Sequence, residues 1–129
     1  MKKAYSHGVG VLIIQDQKIL LTHRIKGEQI GVWEVPAGHI KESETSEEAA
    51  LREVREETGL QIKIIRKLGT NVDEDYAFKA EVFLAEVVSG KLQNLDTGNH
   101  SALKWFSLNE LPNPLGSTAA KGLQELAIT

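Results

Sequence analysis

The sequence predicts an α/β (α+β) layered fold, a mixed sheet with helices packed on it. Three observations lead there. Runs rich in β-branched residues pair off around short turns, one long amphipathic segment carries both helix-start and helix-stop signals, and a second helical stripe closes the chain. The order read along the chain is β-β-β-α-β-β-β-α. No internal repeat, low-complexity tract or interdomain linker breaks it, and 129 residues suit a single domain, 1–129, with one core.

Each element has a local reason. "GVGVLIIQ" is dense in β-branched residues and reads as a strand. "QDQ", Gln15 to Gln17, makes a tight turn, and "KILLTHR" returns, so Val9–Arg24 forms a hairpin. "IKGEQIGVW" has two glycines and mixed polarity, which marks a loop. "WEVPAG" is extended up to Pro36, because the residue before a proline is pushed out of the helical region. Thr45 then opens Thr-x-x-Glu with Glu48, a capping box, and Gly59 supplies the stop. The helix between them runs over Ser46–Thr58. "LQIKIIRKLGT" and "YAFKAEVFLAEVVSG" are strands, the second long enough to bend or carry a bulge. "ALKWFSL" is the last strand. Ser107-x-x-Glu110 is a weaker capping box before "LPNP", fit for a single turn. In "GSTAAKGLQELAIT", Leu115, Ala119, Leu123 and Leu126 form one helical stripe.

Composition narrows the function classes. With 41% hydrophobic and 26% charged residues the chain is ordinary for a globular protein. A formal net charge of −3 offers no electrostatic footprint for a nucleic-acid duplex and no polybasic membrane tether. The absence of cysteine excludes disulfides and thiolate zinc sites, and a cytoplasmic location is expected. The apolar run near the N-terminus is too short for a signal peptide, and none approaches the roughly 20 residues of a membrane helix.

The helix gathers Glu53, Glu56 and Glu57 within five residues. At about 100° per residue the three carboxylates share a stripe about 100° wide, beside an apolar face of Ala50, Leu51 and Val54. A plain salt-bridged surface is one reading, since Glu48–Arg52 and Arg52–Glu56 are i,i+4 pairs. Yet Glu53 and Glu57 are an i,i+4 like-charge pair, which costs stability unless a cation sits between them. Hard divalent ions take such oxygen ligands.

From Gly38 the pattern runs five residues, Glu44, seven residues, then Arg52-Glu53-Val54-x-Glu56-Glu57-x-Gly59-Leu60. This resembles at every position the signature of the Nudix (MutT-like) hydrolases, a specific match over 23 residues. "KILLTHR", "GVWEVPAG" and "LKWFSLNELP" resemble the family's flanking segments, so the resemblance covers Gly8 to Pro112. It implies an α/β/α sandwich around a mixed sheet and hydrolysis of a nucleoside diphosphate derivative with Mg²⁺ or Mn²⁺. It implies metal ligation by Glu53, Glu56, Glu57 and the Gly38 carbonyl, with Arg52 orienting the acids and Glu44 in support. A favourable charge near the helix N-terminus explains Glu44 equally well. By analogy alone the family implies a homodimer.

The family's general base is a signature glutamate or a glutamate on the loop before the closing strand. Here that loop reads "NLDTGNHSALKW", with Asn99 where relatives carry the acid, and an amide cannot accept a proton. The base is therefore assigned to the helix, Glu53 first and Glu56 second, with Asp96 and His100 as substitutes on the loop. Arg24 leads the candidates for phosphate contact, with Lys26 and Lys79 behind it. Trp33 and Tyr76 are the candidates for stacking a base, and Phe78 is read as a strand-face aromatic. The substrate expected is a small-molecule nucleotide, foremost a nucleoside triphosphate giving NMP and pyrophosphate. Tyr76, sixteen residues after Leu60, resembles the tyrosine that marks the family's dinucleoside-polyphosphate hydrolases, and "PAG" resembles its ADP-sugar branch, although Asp75 stands where that branch has a proline. A non-catalytic nucleotide-binding domain is the reading from another class.

Overall fold

Strand β1 (Ser6–Gln15) is covered on both faces, which is why "VGVLII" reads as a continuous apolar run. Val9, Val11 and Ile13 join one cluster with Ala49, Ala50 and Val54 of helix α1 (Ser46–Thr58). Leu12 joins a second cluster with Ala119 of helix α2 (Ser117–Ile128). Each helix thus closes one face of the sheet, giving the three-layer arrangement expected from the resemblance. The computed structural model describes residues 4–27 and 29–128. The two N-terminal lysines, Glu28 of the expected loop and Thr129 of the expected second helix lie outside the described residues. Among those residues no helix is long and apolar enough to cross a membrane.

The other strands are β2 (Lys18–Arg24), β3 (Trp33–Glu34), β4 (Ala37–His39), β5 (Leu60–Asp73), β6 (Phe78–Gly90) and β7 (His100–Ser107). The sheet runs β3-β2-β1-β6-β5, with β4 also on β1 and β7 also on β2. β1 and β6 are parallel, and the other pairs are antiparallel. The β1–β2 turn uses positive φ at both Asp16 (52°) and Gln17 (64°), as a two-residue hairpin requires.

The extended "WEVPAG" divides into two strands, one more than the sequence pattern predicts. Pro36 has no N–H for a ladder, while its carbonyl accepts from Val11 N at 3.0 Å. Before it, Glu34 pairs with Thr22 of β2; after it, Gly38 pairs with Val9 of β1. One edge of β1 is therefore shared. Gly8–Gly10 face β4, whereas β2 meets only Ile14 and Gln15. The chain thus passes from one partner strand to the other at Pro36, and Glu34, Ala37, Gly38 and His39 around that point line a cleft.

Helix α1 spans the predicted residues because its end signals are local. Thr45 Oγ1 accepts from Glu48 N, Glu48 Oε1 accepts from Thr45 N, and Gly59 turns left-handed at φ 74°. Leu51 departs from the predicted apolar face and is 38% exposed; the buried stripe is Ala49, Ala50 and Val54. Glu48 turns back to the cap, so Arg52 is left to other partners. Ser107 and Glu110 form the expected single turn, closed from Glu110 N to the Ser107 carbonyl.

Helix α2 is capped from a distance. Gly116 precedes it and has no side chain to accept the first N–H groups. Gln29 Oε1 accepts from Ser117 N at 2.9 Å, and the Glu34 carboxylate accepts from Thr118 N at 3.1 Å and Ala119 N at 2.6 Å. A Cβ on Gly116 would collide with that carboxylate. Glu34 is buried, and burial raises its pKa to about 7, against the pull of the Val35, Ala119 and Thr118 N–H groups. The folded pKa lies above the ordinary 4.5, so this group's contribution to stability is complete below about 4.5 and is lost as pH rises through 7. Glu34→Gln cannot ionise and keeps an acceptor. It is expected to flatten the pH dependence of the thermal midpoint between those values, and an unchanged slope would contradict this account. Glu34→Ala strands buried donors and should cost about 1–3 kcal/mol for each, read by chemical denaturation.

Candidate active site

The acidic crowding on α1 is organised by Arg52, whose side chain is only 14% exposed. Its Nε and Nη2 donate to the two oxygens of Glu44 at 2.7 and 3.0 Å. Nη1 donates to Oε1 of Glu53 and Oε1 of Glu56, both at 2.8 Å, and Nη2 also reaches the His39 carbonyl at 3.0 Å. All five guanidinium N–H groups are thereby used. The guanidinium, aided by the Lys41 backbone N–H, holds the Glu44 carboxyl down at about 2. The carboxylates hold Arg52 firmly charged.

Glu57 is different. It is 4% exposed, and neither carboxyl oxygen has a hydrogen-bond partner. Burial, followed by the neighbouring Glu53 carboxylate, holds its pKa well above the usual carboxylate range. Across from α1, a Cβ on Gly38 would collide with the Glu53 carboxylate, so the backbone of β4 approaches that acid more closely than any other residue would allow. Two orphaned buried oxygens beside a second carboxylate, against a bare stretch of backbone, fit a hard divalent cation. Among the described residues no ready-made cage of three acidic or histidine side chains exists, because Glu56 turns outward to Arg52 with its side chain 47% exposed.

The loop before β7 is fastened to the end of α1. Gln93 N donates to the Thr58 carbonyl at 2.9 Å and Leu95 N to the carbonyl of Glu57 itself at 3.0 Å. Asn94 Nδ2 holds the His100 carbonyl, and Asn99 Nδ2 donates to Asp96 Oδ1, both at 2.9 Å. Asp96 and His100 are thus carried to the acidic end of the helix. Burial, followed by the nearby Arg24, lowers the His100 pKa against the opposite pull of Asp96.

These parts meet in a cleft of about 570 Å³. Gly38, Glu53, Glu57 and Arg52 are in its lining, with Asp96, Asn99 and His100 from the loop. Arg24, Lys26 and Lys41 contribute positive charge, while Glu34, Phe78 and Thr118 add to the lining. Glu56 is not on the cleft wall. Neither is Trp33, whose ring packs 4.9 Å from both His23 and Phe106 and joins the cluster under α2. Tyr76 stands 44% exposed in the β5–β6 turn, also off the wall. The aromatic that does face the cleft is Phe78, set edge-on to His39 at 5.3 Å.

Sequence reasoning passed over Glu34, Gln29 and Thr118. A signal existed for Glu34. A helix that starts after glycine needs an outside acceptor, and Glu34 is an acid inside an apolar strand.

A NUDIX domain profile matches residues 4–126. The chain is 32% identical over 110 residues to a Bacillus subtilis protein provisionally named 8-oxo-dGTP diphosphatase, covering 84% of this chain and 70% of that one. It is 35% identical over 105 residues to an ADP-ribose pyrophosphatase of Methanocaldococcus jannaschii, with 78% and 61% covered, so it spans less than two thirds of that relative. Among solved structures, a MutT NUDIX hydrolase from Burkholderia pseudomallei superposes with a TM-score of 0.87 at 31% identity, over 96% of this chain and 99% of that one. The matched profile and the shared fold agree, and the chain belongs to the Nudix hydrolases, a family that acts on nucleoside diphosphate derivatives and generally uses divalent metal ions.

Proposed function

We propose that this hydrolase converts a nucleoside triphosphate to the monophosphate and pyrophosphate. The observation that carries the reading is the cleft lining, which combines Gly38, Glu53 and Glu57 with Arg24, Lys26 and Lys41. A polyphosphate needs both signs of charge around it: cationic side chains for its own oxygens, and acids for the ion that accompanies it. Gly38, Glu53 and Glu57 would hold a divalent cation, Mg²⁺ or Mn²⁺, whose charge offsets that of the phosphates, and Glu56 would join them only on leaving Arg52.

Arg24, with Lys26 and Lys41, binds and orients the phosphates. Phe78 offers the nucleobase a stacking face, a better-placed one than Trp33 or Tyr76. Glu53 lines the cleft, unlike Glu56, and is the favoured base. It takes the proton of a water that attacks phosphorus, as the phosphorus–oxygen bond joining the monophosphate and pyrophosphate portions breaks. Arg52 fixes the direction of Glu53 through Oε1, leaving Oε2 clear of the guanidinium. Similarity to the Bacillus protein supports the triphosphate. Similarity to an ADP-ribose pyrophosphatase supports a nucleotide-sugar substrate as the second reading.

A panel of nucleoside triphosphates, dinucleoside polyphosphates and ADP-ribose with Mg²⁺ decides between them. Pyrophosphate and NMP are expected from at least one triphosphate at the highest kcat/KM of the panel. Faster turnover of ADP-ribose would shift the assignment to the second reading. Glu53→Gln and Glu57→Gln should each lower kcat by about 10²-fold or more with the circular dichroism spectrum unchanged. Near-wild-type rates in either variant would remove that residue from the site. Asn99→Glu should change the rate little if Glu53 is the base, whereas a large gain would move the base to the loop.

A further inference from the structure

Among the described residues, three buried side-chain atoms have no hydrogen-bond partner: Oε1 and Oε2 of Glu57 and Nδ1 of His100. They fall on one line of side chains. His100 Nε2 faces Glu57 Oε1 at 3.9 Å, and His100 Nδ1 faces Asp96 Oδ2 at 3.9 Å. His100 is 4% exposed and has little room to turn elsewhere. Leaving such groups unpaired is costly, so an arrangement that keeps them together needs a use for them. The gaps exceed a hydrogen bond by about 1 Å, a distance that catalytic contacts commonly close when the site is loaded. The loop cannot drift far from Glu57, because Leu95 N is bonded to the Glu57 carbonyl and Asn94 Nδ2 to the His100 carbonyl.

We propose that His100, oriented by Asp96, is a positioning residue for Glu57, fixing the direction of its carboxyl and thereby the affinity of the site for a divalent cation. One ring nitrogen faces each carboxyl, so either tautomer makes a donor of one contact. His100 lines the cleft beside Glu57, and the role assigned to it here is exerted through Glu57. The inference rests on the cation reading above, and the experiment separates the two.

Mn²⁺ binding to the nucleotide-free full chain, measured by isothermal titration calorimetry, is the primary readout. His100→Asn keeps an amide beside Asp96 but falls short of Glu57, and should weaken Mn²⁺ binding about 10–100-fold. His100→Gln reaches the Nε2 position and should recover most of that loss. Asp96→Ala should weaken binding by a smaller factor. In a Glu57→Gln background, His100→Asn should cause no further loss, which a merely structural role would not produce. With substrate and Mg²⁺, His100→Asn should lower kcat and leave KM little changed. Wild-type Mn²⁺ affinity in folded His100→Asn, or the same loss with and without Glu57, would overturn the inference while leaving the cation site standing. Wild-type affinity in Glu57→Gln would overturn both.

Discussion

Arg52 is the constraint on which the site depends. A single guanidinium joins three carboxylates of the signature to the backbone carbonyl of His39, and so ties the acidic face of α1 to the end of β4. Like charges at helical spacing repel. Here Glu53 and Glu56 share one nitrogen of Arg52, and Glu44 takes two others. The repulsion left over belongs to Glu57, which is buried without a partner. One acid thus remains without a hydrogen-bond partner among several that are paired, and it is a buried residue of the cleft lining.

The cleft itself follows from strand topology. Because β1 hands one edge from β4 to β2, the chain between these strands must cross over, and it does so at Pro36. Residues on either side of the crossing then look into the same space: Glu34 before it, Ala37 and Gly38 after it. Glu34 is held there by the start of α2, which couples the cleft to the helix on the opposite face of the sheet. Gln29 extends the link, since it donates to Asp73 and Ser117 and accepts from Ser117 N.

What could be read from the sequence was what is decided nearby in the chain. The caps of α1 lie within its own segment, and the signature acids are spaced by one helix, so both the helix and the acid cluster were legible. The splitting of "WEVPAG" was not, because it depends on which strand each half meets. Nor was the role of Glu34, whose partner Thr118 is 84 residues away. The stacking candidates show the same limit. Trp33, Tyr76 and Phe78 are equally aromatic in sequence, and only the fold packs the first against His23 and Phe106, lifts the second into a turn and turns the third toward the cleft.

The pairing of β5 with β6 has a consequence outside the site. Across this ladder Ile64 and Arg66 face adjacent residues Ala85 and Leu84, as Lys67 and Gly69 face Phe83 and Val82, so Ile65 and Leu68 are extra on β5. Near the other end, Gln61 and Ile62 face Ser89 and Val87, which makes Val88 extra on β6. β5 is the outermost strand of its side of the sheet and the longest in the protein. A long flat edge is an open template for further strands, from a misfolded neighbour above all. Three irregularities bend this one, and Lys63, Arg66 and Lys67 add charge along it. The irregular register, two residues on β5 and one on β6, makes this edge a poorer template for a further strand than a regular one would be.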